Sequence, residues 1–147
     1  MSRDRAAGAV VACLILAFLA PGCGKHAGPP GIALGTPCAT CGMDVEDLRF
    51  ACESGSRGVY RVYDSIECLI RDRDRPSPAA IYLADHDRKS LHAVDSLWIV
   101  KGSFPTPMDG GLAAFLDRSS AEDVASTTRG RVGRWADIAA LAPELAP

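Results

Sequence analysis

Val59-Tyr60-Arg61-Val62-Tyr63-Asp64-Ser65-Ile66-Glu67-Cys68-Leu69-Ile70 is the stretch on which the fold turns. Residues 59–63 are rich in β-branched and aromatic side chains and read as a strand. Asp64 and Ser65 then supply side-chain oxygens that can cap free backbone N–H groups, so either marks a helix start. Ile66, Leu69 and Ile70 follow at helical spacing. Residues 71–75 are charged, and Pro76 and Pro78 stop the helix. Residues 80–84 (Ala-Ile-Tyr-Leu-Ala) form the next strand. Upstream, residues 49–53 are β-prone, and Ser54-Gly55-Ser56-Arg57-Gly58 is expected to be the hairpin turn joining them to residues 59–63. The result is a ββαβ unit.

Moving towards the C-terminus, the same grammar returns. Residues 85–90 form a polar turn, 91–94 a short strand, and 97–100 (Leu-Trp-Ile-Val) a clearly apolar one. An irregular loop over 102–111 carries Pro105, Pro107 and Met108. A strand is expected at 112–116, then Asp117, then Ser119-Ser120 as caps for a helix over 121–127 that Gly130 ends. Residues 131–134 give a last strand and 135–141 a terminal helix. Met43-Asp44 and Tyr63-Asp64-Ser65 in the first half answer to Met108-Asp109 and Leu116-Asp117 in the second. The expected fold class is α+β, with two small ββαβ lobes over residues 37–84 and 85–147. Neither lobe buries much alone, so they should pack together.

The N-terminal part reads as targeting rather than fold. Arg3 and Arg5 precede a largely apolar run over residues 6–20, too short for a membrane span of about 20 residues. Residues 1–22 fit a secretory signal. Ala20 and Gly22 before Cys23 resemble a bacterial lipobox, so Cys23 is the expected lipidation site, with plain signal cleavage or an uncleaved anchor as alternatives. Residues 23–36 are rich in glycine and proline and read as a tether. The domain is therefore expected at the membrane, lipid-anchored, on its periplasmic face.

Composition narrows the functional classes. The chain of 147 residues is 23% charged and 48% hydrophobic, as suits a globular protein. Its formal charge of −2 offers no basic footprint for nucleic acid. Without residues 1–22 the same counting gives about −3. Of 6 cysteines, Cys13 leaves with the signal and Cys23 takes the lipid. Cys38, Cys41, Cys52 and Cys68 remain, and an exported compartment makes a disulfide an alternative for any pair.

The chemistry concentrates in Cys38-Ala39-Thr40-Cys41-Gly42-Met43. A thioredoxin-type dithiol wants its cysteines at a helix N-terminus after a strand, and here a Gly/Pro lead precedes them. A closed zinc site wants four ligands at recognisable spacing, and no second C-x-x-C or H-x-H is present. Copper(I) needs only two or three soft donors, and in an extended segment Met43 points to the same side as Cys41. Spacing alone does not separate a structural disulfide from a metal site; the methionines tilt the reading towards copper(I). Met108, flanked by Pro107 and turn residues, is a second thioether candidate, although methionine is more often core filler. His86 and His92 read as surface or turn residues, and Cys52 and Cys68 as small buried hydrophobes or a disulfide. Asp64 and Asp117 read as helix caps. No nucleophile–base pair, carboxylate dyad or phosphate loop is visible, so no enzyme is expected.

Together, Cys38-x-x-Cys41-Gly42-Met43 after a lipoprotein-like leader, Leu97-Trp98-Ile99-Val100-Lys101-Gly102-Ser103, Pro107-Met108 and Leu112-Ala113-Ala114-Phe115 resemble the NosL family. Ser120-Ala121-Glu122-Asp123 and Gly130-Arg131-Val132 extend the resemblance over residues 37–138. That resemblance implies a fold of two ββαβ lobes. It also implies an accessory lipoprotein that binds copper(I) and supplies it to maturation proteins of nitrous oxide reductase or to the reductase itself. Cys38 and Cys41, with Met43 and Met108, would then be the metal ligands. The rival reading is a periplasmic thiol–disulfide reductase acting on a copper-site cysteine.

Overall fold

In the computed structural model, residues 29–77 and 79–145 are described. The reading of residues 1–22 as a signal and of Cys23 as lipidated lies outside them. Of the expected tether, Gly35 donates its N–H to the carbonyl of Val45 at 2.9 Å. Among the described residues, no helix is long and apolar enough to cross a membrane.

Arg57 and Gly58 both take positive φ, 53° and 83°, which suits a two-residue hairpin loop between right-twisted strands. The hairpin they close joins β1 (Cys52–Ser56) to β2 (Val59–Tyr63), paired Cys52 with Tyr63 through Ser56 with Val59. The turn is thus tighter than the expected 54–58, and the first strand runs later than 49–53. Polarity hid this. Ser54 is buried in the strand because its hydroxyl bonds the Tyr63 hydroxyl at 2.7 Å, which removes the cost of taking it out of water. Ser65 caps α1 (Ile66–Arg71), and β3 (Ala80–Ala84) returns antiparallel to β1. β4 (Leu91–Ala93) adds to β3, giving a sheet in the order β2-β1-β3-β4.

The second unit repeats the plan. β5 (Trp98–Lys101), β6 (Leu112–Phe115), α2 (Arg118–Thr127) and β7 (Arg131–Gly133) form a sheet in the order β6-β5-β7, again antiparallel with its first strand in the middle. The fold is α+β, built of two ββαβ units. A short 3₁₀ turn over Trp135–Asp137 leads into α3 (Ile138–Leu141). Two local expectations change here. Ser119 and Ser120 lie inside α2, whose N-cap position is Asp117 with no side-chain cap bond. At the other end, Arg129 takes the left-handed φ of 53°. The expected correspondence of Met43 with Met108 also fails: Met43 precedes β1, whereas Met108 lies between β5 and β6.

The two sheets share one core. Cys52, Tyr63 and Leu83 from the first sheet and Ile66 and Leu69 from α1 meet Ile99, Leu112 and Ala114 from the second. On the opposite face of β5, Val100 packs with Phe115, Ala121 and Ala125 under α2. A polar clasp reinforces the joint. The fully buried Asp85 accepts the backbone N–H of Leu116 at 2.9 Å and that of Arg88 at 3.0 Å, while Arg88 reaches Asp117 at 2.7 Å.

Candidate metal centre

The cysteine stretch is a tight turn, not an extended segment, so strand alternation does not place Met43 beside Cys41. Val45 donates to the Thr36 carbonyl at 2.9 Å, Cys38 to that of Met43 at 2.8 Å, and Gly42 back to that of Cys38 at 3.0 Å. This closure puts Gly42 at φ 76°, where a side chain would be strained. Two further bonds fasten the turn to the first lobe. Ala39 donates to the Val62 carbonyl of β2 at 2.8 Å, and the Thr40 hydroxyl to the Cys68 carbonyl of α1 at 2.9 Å.

That anchoring lays Cys38 and Cys41 over the start of α1. Ser65 performs the capping there, accepting the Cys68 N–H on its hydroxyl at 3.3 Å. Asp64 is therefore not needed as a cap. Its Oδ2 instead faces the Cys41 thiol at 3.7 Å, and its Oδ1 is buried with no hydrogen-bond partner. One donor atom from each of Cys38, Cys41, Asp64 and Cys68 lies within 4.8 Å of all the others. Cys38 and Cys68 are buried and Cys41 is exposed, so the group has a single solvent-facing thiol.

Sequence reasoning found two of these four. It treated Cys68 as a small hydrophobe and Asp64 as a cap. The available signal was the pair of adjacent cap candidates, Asp64 and Ser65, since one helix start needs only one of them. Cys52 lies outside the group; its thiol donates to the Phe50 carbonyl at 3.2 Å rather than pairing with Cys68. His86 packs between the rings of Phe50 and Phe115, and His92 bonds Ser90 at 2.9 Å.

The methionines take different places. Met43 is 47% exposed and lines a cleft of about 660 Å3 together with Asp44, Glu46, Asp64, Thr106 and Pro107. Met108 is half-buried and packs against the core cluster to which Cys38 and Cys68 belong. The far wall of the cleft is held by the fully buried Glu67. Its Oε1 accepts the Thr106 hydroxyl and the Leu112 N–H, both at 3.3 Å. Gly110 sits directly over that carboxylate, where any Cβ would collide with it.

Burial sets the protonation chemistry. It pushes the Cys41 thiol up, and it pushes Cys68 strongly up, with the neighbouring Asp64 adding to the effect. Such thiols are protonated near neutrality and give up a proton only when a metal ion takes its place. The donor set of three thiols and one carboxylate can hold a thiophilic ion.

No family model and no curated protein matches the chain. Among solved structures, the crystal structure of the copper chaperone NosL from Shewanella denitrificans is similar in fold, with a TM-score of 0.62 at 18% identity. The match spans 75% of this chain and 97% of that one. The class defined is thus a NosL-like α+β fold carrying a thiol-rich pocket.

Proposed function

We propose that the chain is a copper(I) chaperone that takes the ion on Cys38, Cys41 and Cys68. The carrying observation is the gathering of three thiols from two separate segments into one pocket with a single exposed sulfur. Soft thiolates select copper(I), and two or three of them suffice. Low coordination leaves the ion open to a partner's ligand, so it is passed on rather than kept. The incoming ligand approaches along the cleft, past the exposed Met43 and over the buried Asp64. Met43 and Met108 are thioether donors for the stages of loading and release.

Maturation of nitrous oxide reductase is the destination implied by the resemblance of the sequence to the NosL family. The same resemblance supports lipidation at Cys23 and residence on the periplasmic face of the membrane. The alternative reading, a thiol–disulfide reductase, needs an accessible thiol with a lowered pKa. The exposed thiol, Cys41, is instead pushed up by burial and sits in a turn.

The test is anaerobic copper(I) titration of the reduced full chain in detergent against a competing chelator. Stoichiometric tight binding is expected in the native protein, with loss in the Cys38→Ser, Cys41→Ser double variant. Unchanged affinity in that variant rejects the proposal.

A further inference from the structure

The face of the first sheet turned away from α1 carries a carboxylate that the fold leaves without a partner. Cys52 and Ser54 point into the core with Tyr63, so strand alternation turns Glu53 to the other side. There it stands in register with Val62 of β2 and Tyr82 of β3. Gly55 follows on that face, and the Tyr60 ring lies so close over it that a Cβ would collide with the ring. The Tyr60 and Tyr82 rings are 6.4 Å apart between centroids. Glu53 itself is fully buried, and neither Oε1 nor Oε2 has a hydrogen-bond partner. Glu67, equally buried, accepts two bonds on Oε1; Glu53 accepts none. A bare buried carboxylate is costly, and a counter-charge removes the cost. Burial pushes the Glu53 carboxyl up, towards its uncharged form, and a cation beside it reverses that push.

The same face shows where a cation comes from. Ala51, Ala84 and Leu91 continue it one row beyond Glu53 and Tyr82, and there they line a groove of about 370 Å3 with Pro29, Gly31 and Ile32. The chain N-terminal to Pro29 therefore sets out from this face. Residues 24–28, Gly-Lys-His-Ala-Gly, lie outside the described residues. Lys25 stands four residues before Pro29, an extended reach of about 13–14 Å, whereas Ala51 to Glu53 is two strand steps, about 7 Å. The reach exceeds the need. Lys89 also lines the groove, yet both Glu53 oxygens are unbonded.

We propose that Glu53, flanked by Tyr60 and Tyr82, is a site for a primary ammonium group, and that its occupant is the side chain of Lys25 from the same chain. A carboxylate gives the ammonium a charge-assisted hydrogen bond, and tyrosine rings beside it add cation–π attraction. The pair straps the N-terminal segment across the outer face of the first sheet. The thiol turn docks on the β2 edge and over α1, on the sheet's other side. With the lipid proposed at Cys23, two residues before Lys25, the strap holds the outer face towards the bilayer and the thiols away from it. That orientation rests on the lipidation; the pairing rests neither on it nor on copper.

The experiment is limited trypsin digestion of the full chain in detergent, with cleavage between Lys25 and His26 timed by mass spectrometry. Expected is cleavage at least about tenfold slower than in a synthetic peptide of residues 24–32, because the protease acts on the released form. Glu53→Gln, which keeps the shape of the side chain, should remove the protection, whereas Lys89→Met should leave it intact. A second measurement leaves Glu53 in place: Lys25→Met should lower the thermal unfolding temperature of the native chain and have no such effect in the Glu53→Gln background. Absence of protection, protection that survives Glu53→Gln, or an unfolding temperature unmoved by Lys25→Met overturns the proposal. Protection that grows with protein concentration assigns the ammonium to a second copy and overturns the pairing within one chain.

Discussion

The Sγ of Cys41 lies 3.7 Å from Oδ2 of Asp64, although 22 residues and a complete β-hairpin separate them in the chain. That contact joins the motif a reader of the sequence would notice to a residue that looks like a helix cap. It defines the pocket as a product of the fold and not of the C-x-x-C spacing alone.

Cys68 and Cys52 should behave differently although both are buried cysteines. Cys68→Ser removes a donor from the pocket and should weaken copper(I) by about 10–100-fold or more. Cys52→Ala should leave copper(I) affinity intact and lower stability by about 1–2 kcal/mol through loss of packing. Chelator competition and urea unfolding on the two variants separate these outcomes.

Copper(I) affinity should fall as pH falls. Burial raises the Cys41 and Cys68 thiols above the ordinary cysteine value, so both are protonated throughout the neutral range and each must lose its proton on binding. Each such proton makes affinity change by about tenfold per pH unit. A pH series of copper(I) titrations should show this slope between pH 6 and 8, taken as roughly neutral conditions.

Acid should unfasten the lobes. Burial opposes ionisation of Asp85, but the Leu116 N–H and the Arg88 side chain and N–H outweigh it and hold the carboxyl below its usual range. Asp72 is held down in the same way, with burial opposed by Arg61 and Tyr63. A carboxyl whose folded pKa is depressed contributes stability above its unfolded pKa of about 3.9, and loses it as pH falls through the folded value. Thermal unfolding temperature should therefore drop below about pH 4, and this dependence should shrink in Asp85→Asn. Asp85→Ala, which strands the Leu116 N–H, should cost about 1–3 kcal/mol.

Gly110 is required by Glu67. Gly110→Ala drives a methyl group into the buried carboxylate that holds Thr106 and Leu112, and should destabilise the protein by about 1–3 kcal/mol. Because Thr106 and Pro107 line the cleft, copper transfer to an acceptor should change more than equilibrium affinity does. Equal changes in both would show that the loop does not shape the exchange path.

Most of the architecture was readable from local chemistry. The Pro76 and Pro78 breaks, the Ser65 cap and the apolar run at 80–84 specify α1 and β3 with little help from the rest of the chain. The first strand was misplaced because Ser54 is polar yet fully buried, an arrangement that depends on its hydrogen bond to the Tyr63 hydroxyl. The pocket was half legible for a similar reason. Cys38 and Cys41 advertise themselves by spacing, whereas Cys68 and Asp64 become ligand candidates only when Ala39 and Thr40 dock the turn onto β2 and α1. Alternation, the argument that placed Met43 next to Cys41, applies to strands and not to a turn closed by Gly42.

The most direct measurement is copper K-edge X-ray absorption on the anaerobically loaded full chain, which gives oxidation state and counts the sulfur neighbours. Monovalent copper with two or three sulfur neighbours is predicted, falling by at least one sulfur in Cys68→Ser. Copper surrounded by nitrogen and oxygen, or a sulfur shell unaltered by loss of Cys38, Cys41 and Cys68, would contradict it.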